Sequence, residues 1–235
     1  MVFRSSLNGD TPKGAPMTHS QRFLAVAAAS LLSFSASAGS ISVGPTTLMA
    51  DTSAKHVAVT LHNSGDTSVR YQVKAVGWDQ ATGQNVFFPT TEIVGAPTFV
   101  DVPPQSKRTA RLMRVGALSE RRYYRVLLMQ LKDPNAQGVQ LLVNQDLPVA
   151  FEAANAPVPQ VTVQAVAKGY RLTNHGQTAA RVSSIGPAGG KPWREGALGW
   201  TLPGASMTYE TQPGQRAENL SITVNGQPVT IPVGR

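Results

Sequence analysis

The chain has 235 residues, 41% of them hydrophobic and 14% charged, with 21 Gly, 17 Pro and no Cys. That length accommodates one large domain or two of roughly 100 residues, and the apolar fraction excludes a wholly disordered polymer. Without Cys there is no disulfide framework, thiolate metal site or cysteine nucleophile. The formal net charge of +8 fits either a nucleic-acid binder or an exported protein that attracts a carboxylate-bearing partner. The cations are scattered, with one tight group at Arg121, Arg122 and Arg125, and no nucleic-acid recognition motif accompanies them.

From Met17 the sequence reads as an address label. Arg22 supplies a basic start, Phe23 to Phe34 an apolar stretch, and Ala36-Ser37-Ala38 a small-residue cleavage signal. The apolar stretch falls short of the roughly 20 residues a membrane-spanning helix needs. Residues 1–38 are therefore predicted to be an N-terminal extension plus a secretory signal peptide cut after Ala38, with Met17 the natural start. No stable membrane insertion is expected.

The remainder reads as short strands separated by turn residues, the spacing of an all-β sandwich. Val57 to Leu61 precedes the turn cluster Asn63-Ser64-Gly65-Asp66, and Val69 to Trp78 makes the next strand. Thr98 to Val102 stops at Pro103-Pro104, and Arg108 to Val115 resumes. Tyr123 to Leu131 and Val139 to Phe151 are predicted as the two longest strands, separated by residues 132–138. Ala153 to Pro159, small and Pro-bearing, reads as a stiff linker. Beyond it, turns at Lys168-Gly169 and Asn174-His175-Gly176 punctuate further strands. Asn225-Gly226, between Ile222-Thr223-Val224 and Val229-Thr230-Ile231, is a strong hairpin signal. The predicted fold class is all-β, with two immunoglobulin-like β-sandwich domains in tandem over 39–153 and 158–235.

Catalytic chemistry is not legible. There is no nucleophile elbow, zinc-protease helix motif, phosphate loop or dinucleotide fingerprint. After the leader only His56, His62 and His175 remain, each beside a strand end or turn and none at metal-ligand spacing. No acidic pair is spaced for general acid–base work. The expectation is a non-enzyme that binds no metal and needs no cofactor.

An export signal, two sandwiches and long apolar strands closing the first of them carry a family resemblance. It runs through Val57-Ala58-Val59-Thr60-Leu61-His62-Asn63, Trp78 with Gln80 and Gly83, and Pro97-Thr98-Phe99-Val100-Asp101-Val102-Pro103. It continues through Arg111-Leu112, Glu120 with Tyr124-Arg125-Val126-Leu127-Leu128, and Leu147-Pro148-Val149-Ala150-Phe151. In the second domain only Tyr170-Arg171-Leu172-Thr173-Asn174 contributes. These segments resemble the periplasmic pilus chaperones of the chaperone–usher pathway, the PapD-like family, and look like its archaic or alternative branch.

The resemblance implies a periplasmic chaperone that stabilises pilin or fimbrial subunits by donor-strand complementation and delivers them to an outer-membrane usher. The lent strand would be Val139 to Gln145, with Val139, Leu141 and Val143 on one face and Leu142 on the other. The alternative for these residues is an ordinary core strand. Family members hold the subunit's terminal carboxylate with two cations, whose positions here fall on Thr47 and Pro148. Arg111, Arg114 and Arg125 are the candidate substitutes, since guanidinium binds carboxylate bidentately. They are equally readable as surface charges or partners of Glu120 and Glu152. A second functional reading is an exported structural or adhesive sandwich of a surface fibre, which the two-domain layout fits less well.

Overall fold

The computed structural model describes residues 41–81, 83–116 and 122–234. The predicted leader with its cleavage point, and Glu120, lie outside those residues. All regular structure in the described residues is strand. The first sandwich is built from β1 (Ile41–Gly44), β2 (Leu48–Ala50), β3 (His56–Asn63), β4 (Val69–Asp79), β5 (Val86–Pro89), β6 (Ile93–Ala96), β7 (Phe99–Val102), β8 (Ser106–Arg114), β9 (Tyr123–Gln130) and β10 (Gln145–Phe151). One sheet runs β1-β3-β8-β6, and the other β2-β10-β9-β4-β5 with β7 also beside β4.

Alternation decides which face of each strand is inside. On β3, Val57, Val59 and Leu61 are buried, and on β9 Tyr124, Val126 and Leu128 are. Facing them are Leu112 from β8 and Val149 and Phe151 from β10, with the Tyr124 and Phe151 rings edge to face at 6.3 Å. Each such side chain contributes roughly 1.5–3 kcal/mol by leaving water.

The second sandwich comprises β11 (Val161–Val166), β12 (Gly169–Asn174), β13 (Ala180–Pro187), β14 (Arg194–Thr201), β15 (Ser206–Glu210), β16 (Asn219–Val224) and β17 (Gln227–Gly234). Its order is β14-β13-β16-β17-β11-β12-β15. The two halves of this sheet are joined by β17, which pairs antiparallel with β16 along its length and parallel with β11 at its end. The Asn225-Gly226 turn has the expected left-handed pair of φ values, 52° and 82°, which lets Val224 face Gln227 directly.

Both sandwiches turn one corner with the same device. Asn63 is fully buried. Its amide nitrogen donates to the Thr67 and Val102 carbonyls at 2.7 and 3.0 Å, and its oxygen accepts from the Gly65 N–H at 2.9 Å. Asn174, also fully buried, donates to the Thr178 and Thr201 carbonyls at 2.7 and 3.0 Å and accepts from the Gly176 N–H at 3.0 Å. The sequence marked both segments as turns; the structure adds that their buried asparagines satisfy three backbone groups each.

Candidate functional site

The predicted strand from Val139 to Phe151 is corrected: β10 begins only at Gln145, and the longest strand is β4, with 11 residues. Beyond Gln145 side chains take the backbone groups that a ladder would use, the Gln130 N–H donating to Asn144 Oδ1 at 3.0 Å and the Val143 N–H to Gln130 Oε1 at 2.9 Å. Farther along, the facing segment turns away. Asp133 opens a turn, its Oδ1 accepting from the Asn135 N–H at 2.9 Å, and the following Pro134 has no N–H to give a ladder. Residues 139–144 thus carry the side-chain alternation of a strand without being in one. They form an arm that leads into β10.

On that arm Val139 and Leu141 stand fully or almost fully in solvent, with relative exposures of 102% and 83%, whereas Leu142 and Val143 are half-buried. The arm runs into a sheet edge that is partly open. β9 pairs with β10 from Gln145 to Ala150, but on its other side β10 meets β2 only at Val149 to Phe151. Among the described residues, no strand lies beside the outer side of 145–148.

That open edge borders a cleft between the two sandwiches, a cavity of about 650 Å³ lined by Thr46, Thr47, Asp146 and Pro148 from the first and by Arg181, Trp200 and Asn225 from the second. Arg125 lies here, in register with Pro148. Its Nε donates to Asp146 Oδ1 at 2.6 Å, and its guanidinium lies 4.7 Å from the Trp78 ring centre and 5.9 Å from that of Phe87. The aromatic faces and the carboxylate fix its plane. Arg181 is held from the opposite wall, its Nε donating to Asn225 Oδ1 at 3.1 Å.

The other two predicted cations are elsewhere. Arg111 is exposed on β8, opposite Ala58 and Ala96 in the four-stranded sheet. Arg114 donates to the Thr52 and Ala54 carbonyls and caps the Phe151 ring at 5.8 Å, so it braces the 51–54 turn. The structure therefore brings one of the three, Arg125, to the cleft beside Thr47 and Pro148. Glu152 pairs with none of the three: its Oε1 accepts from the Tyr123 hydroxyl at 2.7 Å and the Ala179 N–H at 2.9 Å. Burial, then the hydrogen bond to Glu152, raises the Tyr123 pKa well above the usual phenol value.

Glu152 is half of a joint between the sandwiches; the other half is Gln80, named above for the resemblance but not for this role. Gln80 is 1% exposed; its Nε2 donates to Asn85 Oδ1 at 2.8 Å and to the Trp200 carbonyl at 3.0 Å, while its Oε1 accepts from the Leu202 N–H at 2.8 Å. Around these bonds pack Trp78, Tyr123, Ala150, Ala179, Leu202 and Ala205, with the Trp78 and Trp200 rings 5.6 Å apart. The burial of a long polar side chain two residues after a strand Trp has no local sequence signature; it needs the partner backbone. The histidines stay outside all of this, His175 making a 3.0 Å hydrogen bond with Thr162 Oγ1. No group of three metal-ligating side chains occurs among the described residues, and no helix among them is long and apolar enough to cross a membrane.

No protein-family model matches the sequence, and no curated protein is similar to it. Solved structures are similar in fold. A chain of the CsuC–CsuE chaperone–tip adhesion subunit complex, from archaic chaperone–usher Csu pili of Acinetobacter baumannii, superposes with a TM-score of 0.63 at 19% identity, over 82% of this chain and 97% of that one. The complex of the Salmonella enterica SafA pilin with the SafB chaperone gives 0.62 at 14% identity, over 83% and 97%. The Pseudomonas aeruginosa CupB2 chaperone gives 0.58 at 13%, over 82% and 100%. With two sandwiches in the same tandem order along nearly the full length of each of these, this chain has the fold of the PapD-like periplasmic chaperones of chaperone–usher pathways.

Proposed function

We propose that the protein is a periplasmic assembly chaperone, not an enzyme, that caps pilus subunits by lending them the 139–145 arm and passes them to an outer-membrane usher. The observation that carries this reading is the solvent exposure of Val139 and Leu141 on an arm continuous with an unpaired strand edge. A sandwich subunit lacking one strand exposes a hydrophobic groove and unpaired backbone groups. The arm offers both complements: backbone along its length and apolar side chains at every second residue. The similar complexes of a chaperone with a tip adhesion subunit and of a chaperone with a pilin support the same class of partner.

In this reading Arg125 receives the subunit's terminal carboxylate in the cleft, and Arg181 adds a second positive charge from the facing wall. Thr47 and Pro148 line the same cavity without charge. Co-expression with small exported β-sandwich subunits, followed by pull-down, tests the function. The protein is expected to co-purify one-to-one with a subunit, and Leu141→Asp to lose it while keeping the free protein's melting temperature. Failure of the wild type to retain any such subunit overturns the reading.

A further inference from the structure

The arm is tied to the segment after β9, but not by backbone rungs. In the β9–β10 ladder Leu128 faces Gln145, Leu127 faces Asp146 and Val126 faces Leu147. Continued past the last rung, the same register sets Gln130 opposite Val143 and Asp133 opposite Gln140. Those two pairs are joined in the structure, by side-chain amides. The Val143 N–H donates to Gln130 Oε1 at 2.9 Å, and the Gln130 N–H donates to Asn144 Oδ1 at 3.0 Å. The Asp133 N–H donates to Gln140 Oε1 at 2.9 Å, and Gln140 Nε2 donates back to the Asp133 carbonyl at 2.8 Å. The side chain of Gln140 thus engages both backbone groups of Asp133, as a facing strand residue would. Gln130 is itself fixed from below, its Oε1 also accepting from the hydroxyl of the fully buried Tyr71 at 3.4 Å.

We propose that Gln130 and Gln140 are positioning residues that hold the arm in the β9–β10 register before any partner arrives. The proposal rests on the donor reading above and deepens it. A strand slipped by one residue turns its whole apolar set to the opposite face, so a slip presents Gln140 and Leu142 where Val139, Leu141 and Val143 belong. Backbone rungs would prevent the slip, but the ladder ends at Gln145, and beyond it side chains occupy the backbone groups of Gln130, Asp133 and Val143. Side-chain amides set the same pairs at a longer span. The arm stays splayed yet indexed, and a partner strand added at the open edge meets the correct parity at once.

Because the chain has no Cys, engineered pairs report register without background. Leu131→Cys with Leu142→Cys is the in-register pair, and Leu131→Cys with Leu141→Cys is slipped by one residue. The geometry of a disulfide makes its formation sensitive to that difference. Under mild oxidation the in-register pair is expected to close roughly tenfold faster, the selectivity that two net hydrogen bonds confer. Adding Gln130→Ala and Gln140→Ala is expected to bring the two rates together, and to speed amide exchange at Asp133 and Val143. Unchanged selectivity in the double Gln variant overturns the proposal, as does unchanged amide exchange. Neither measurement involves a subunit, so a failed donor reading leaves this result standing, and a failed register result leaves subunit capture to be judged by its own assay.

Discussion

Replacing Gln80 by Ala removes a side chain that serves both sandwiches. Two groups of the second sandwich lose their partner: the Leu202 N–H, on a residue only 4% exposed, and the Trp200 carbonyl. Leaving a buried donor or acceptor unsatisfied costs about 1–3 kcal/mol, so losing both weakens the joint by roughly 2–6 kcal/mol. Each sandwich keeps its own core, because Gln80 belongs to neither. The expected result is therefore uncoupling and not global collapse. In differential scanning calorimetry the single transition of the wild type should broaden or split, with its lower component down by roughly 5–15 °C at the sensitivity usual for a chain of this size. Gln80→Glu should be at least as damaging: a carboxylate still accepts from Leu202 but faces the Trp200 carbonyl and Asn85 Oδ1 with no proton to give. Small-angle scattering should report a wider spread of interdomain geometries for both variants. A Gln80→Ala protein whose transition stays single and within about 2 °C of wild type refutes the assignment of these bonds to the joint.

Leu141→Asp should abolish subunit capture and leave the free protein's melting temperature within about 1 °C, since the side chain is already in water and surface changes seldom exceed ±0.5 kcal/mol; pull-down and thermal melts read both. Leu142→Asp, on the half-buried face, should cost the free protein measurable stability in the same melts. Arg125→Ala should weaken capture about tenfold, Arg125→Lys should recover little because the planar fork is lost, and Arg111→Ala should leave capture unchanged, all by titration against one subunit. Tyr209, whose pKa burial pushes up to about 12, ties stability to alkaline pH. Its raised value means that its contribution is complete below the ordinary phenol range near 10 and is lost as pH rises from there through about 12. Denaturant melts across that window should show a fall in stability that Tyr209→Phe reduces.

Much of the fold was legible because period-two alternation needs no partner to be read. Val57, Val59 and Leu61 mark the inner face of β3 before any sheet is known, and Asn225-Gly226 announces its hairpin from the φ values it tolerates. The arm shows the limit of that signal. Val139, Leu141 and Val143 alternate as a half-buried strand does, but alternation states only that a residue pair wants a partner surface, not that the same chain supplies it. The candidate cations show a related limit: sequence placed Arg111, Arg114 and Arg125 on neighbouring strands without separating them, while the two-sheet topology sends the first two to the β3–β8 sheet and leaves Arg125 by the cleft. Gln80 was visible only as part of the resemblance, because its bonds to Trp200 and Leu202 come from the other sandwich. Arg181 went unseen because its partner Asn225 is 44 residues away in sequence, and long-range contacts of that kind leave no trace in local spacing.

The two sandwiches share one wiring diagram. The pairs β3–β8, β4–β9, β9–β10 and parallel β2–β10 of the first correspond to β12–β15, β13–β16, β16–β17 and parallel β11–β17 of the second. The corner asparagines 63 and 174 fix the alignment. The final hairpin has consequently been built twice in one molecule with different loops: two residues, Asn225 and Gly226, in the second copy, and residues 131–144 in the first. The arm is then an elaboration of an ordinary hairpin rather than a separate device, and the second copy serves as its unelaborated control. Loop length costs a folded domain little, since closure entropy grows only logarithmically, so a sandwich tolerates such an insertion without redesign. Grafting the short Asn-Gly turn onto the end of the β9–β10 ladder should yield a protein that folds as well as the parent and has nothing to lend.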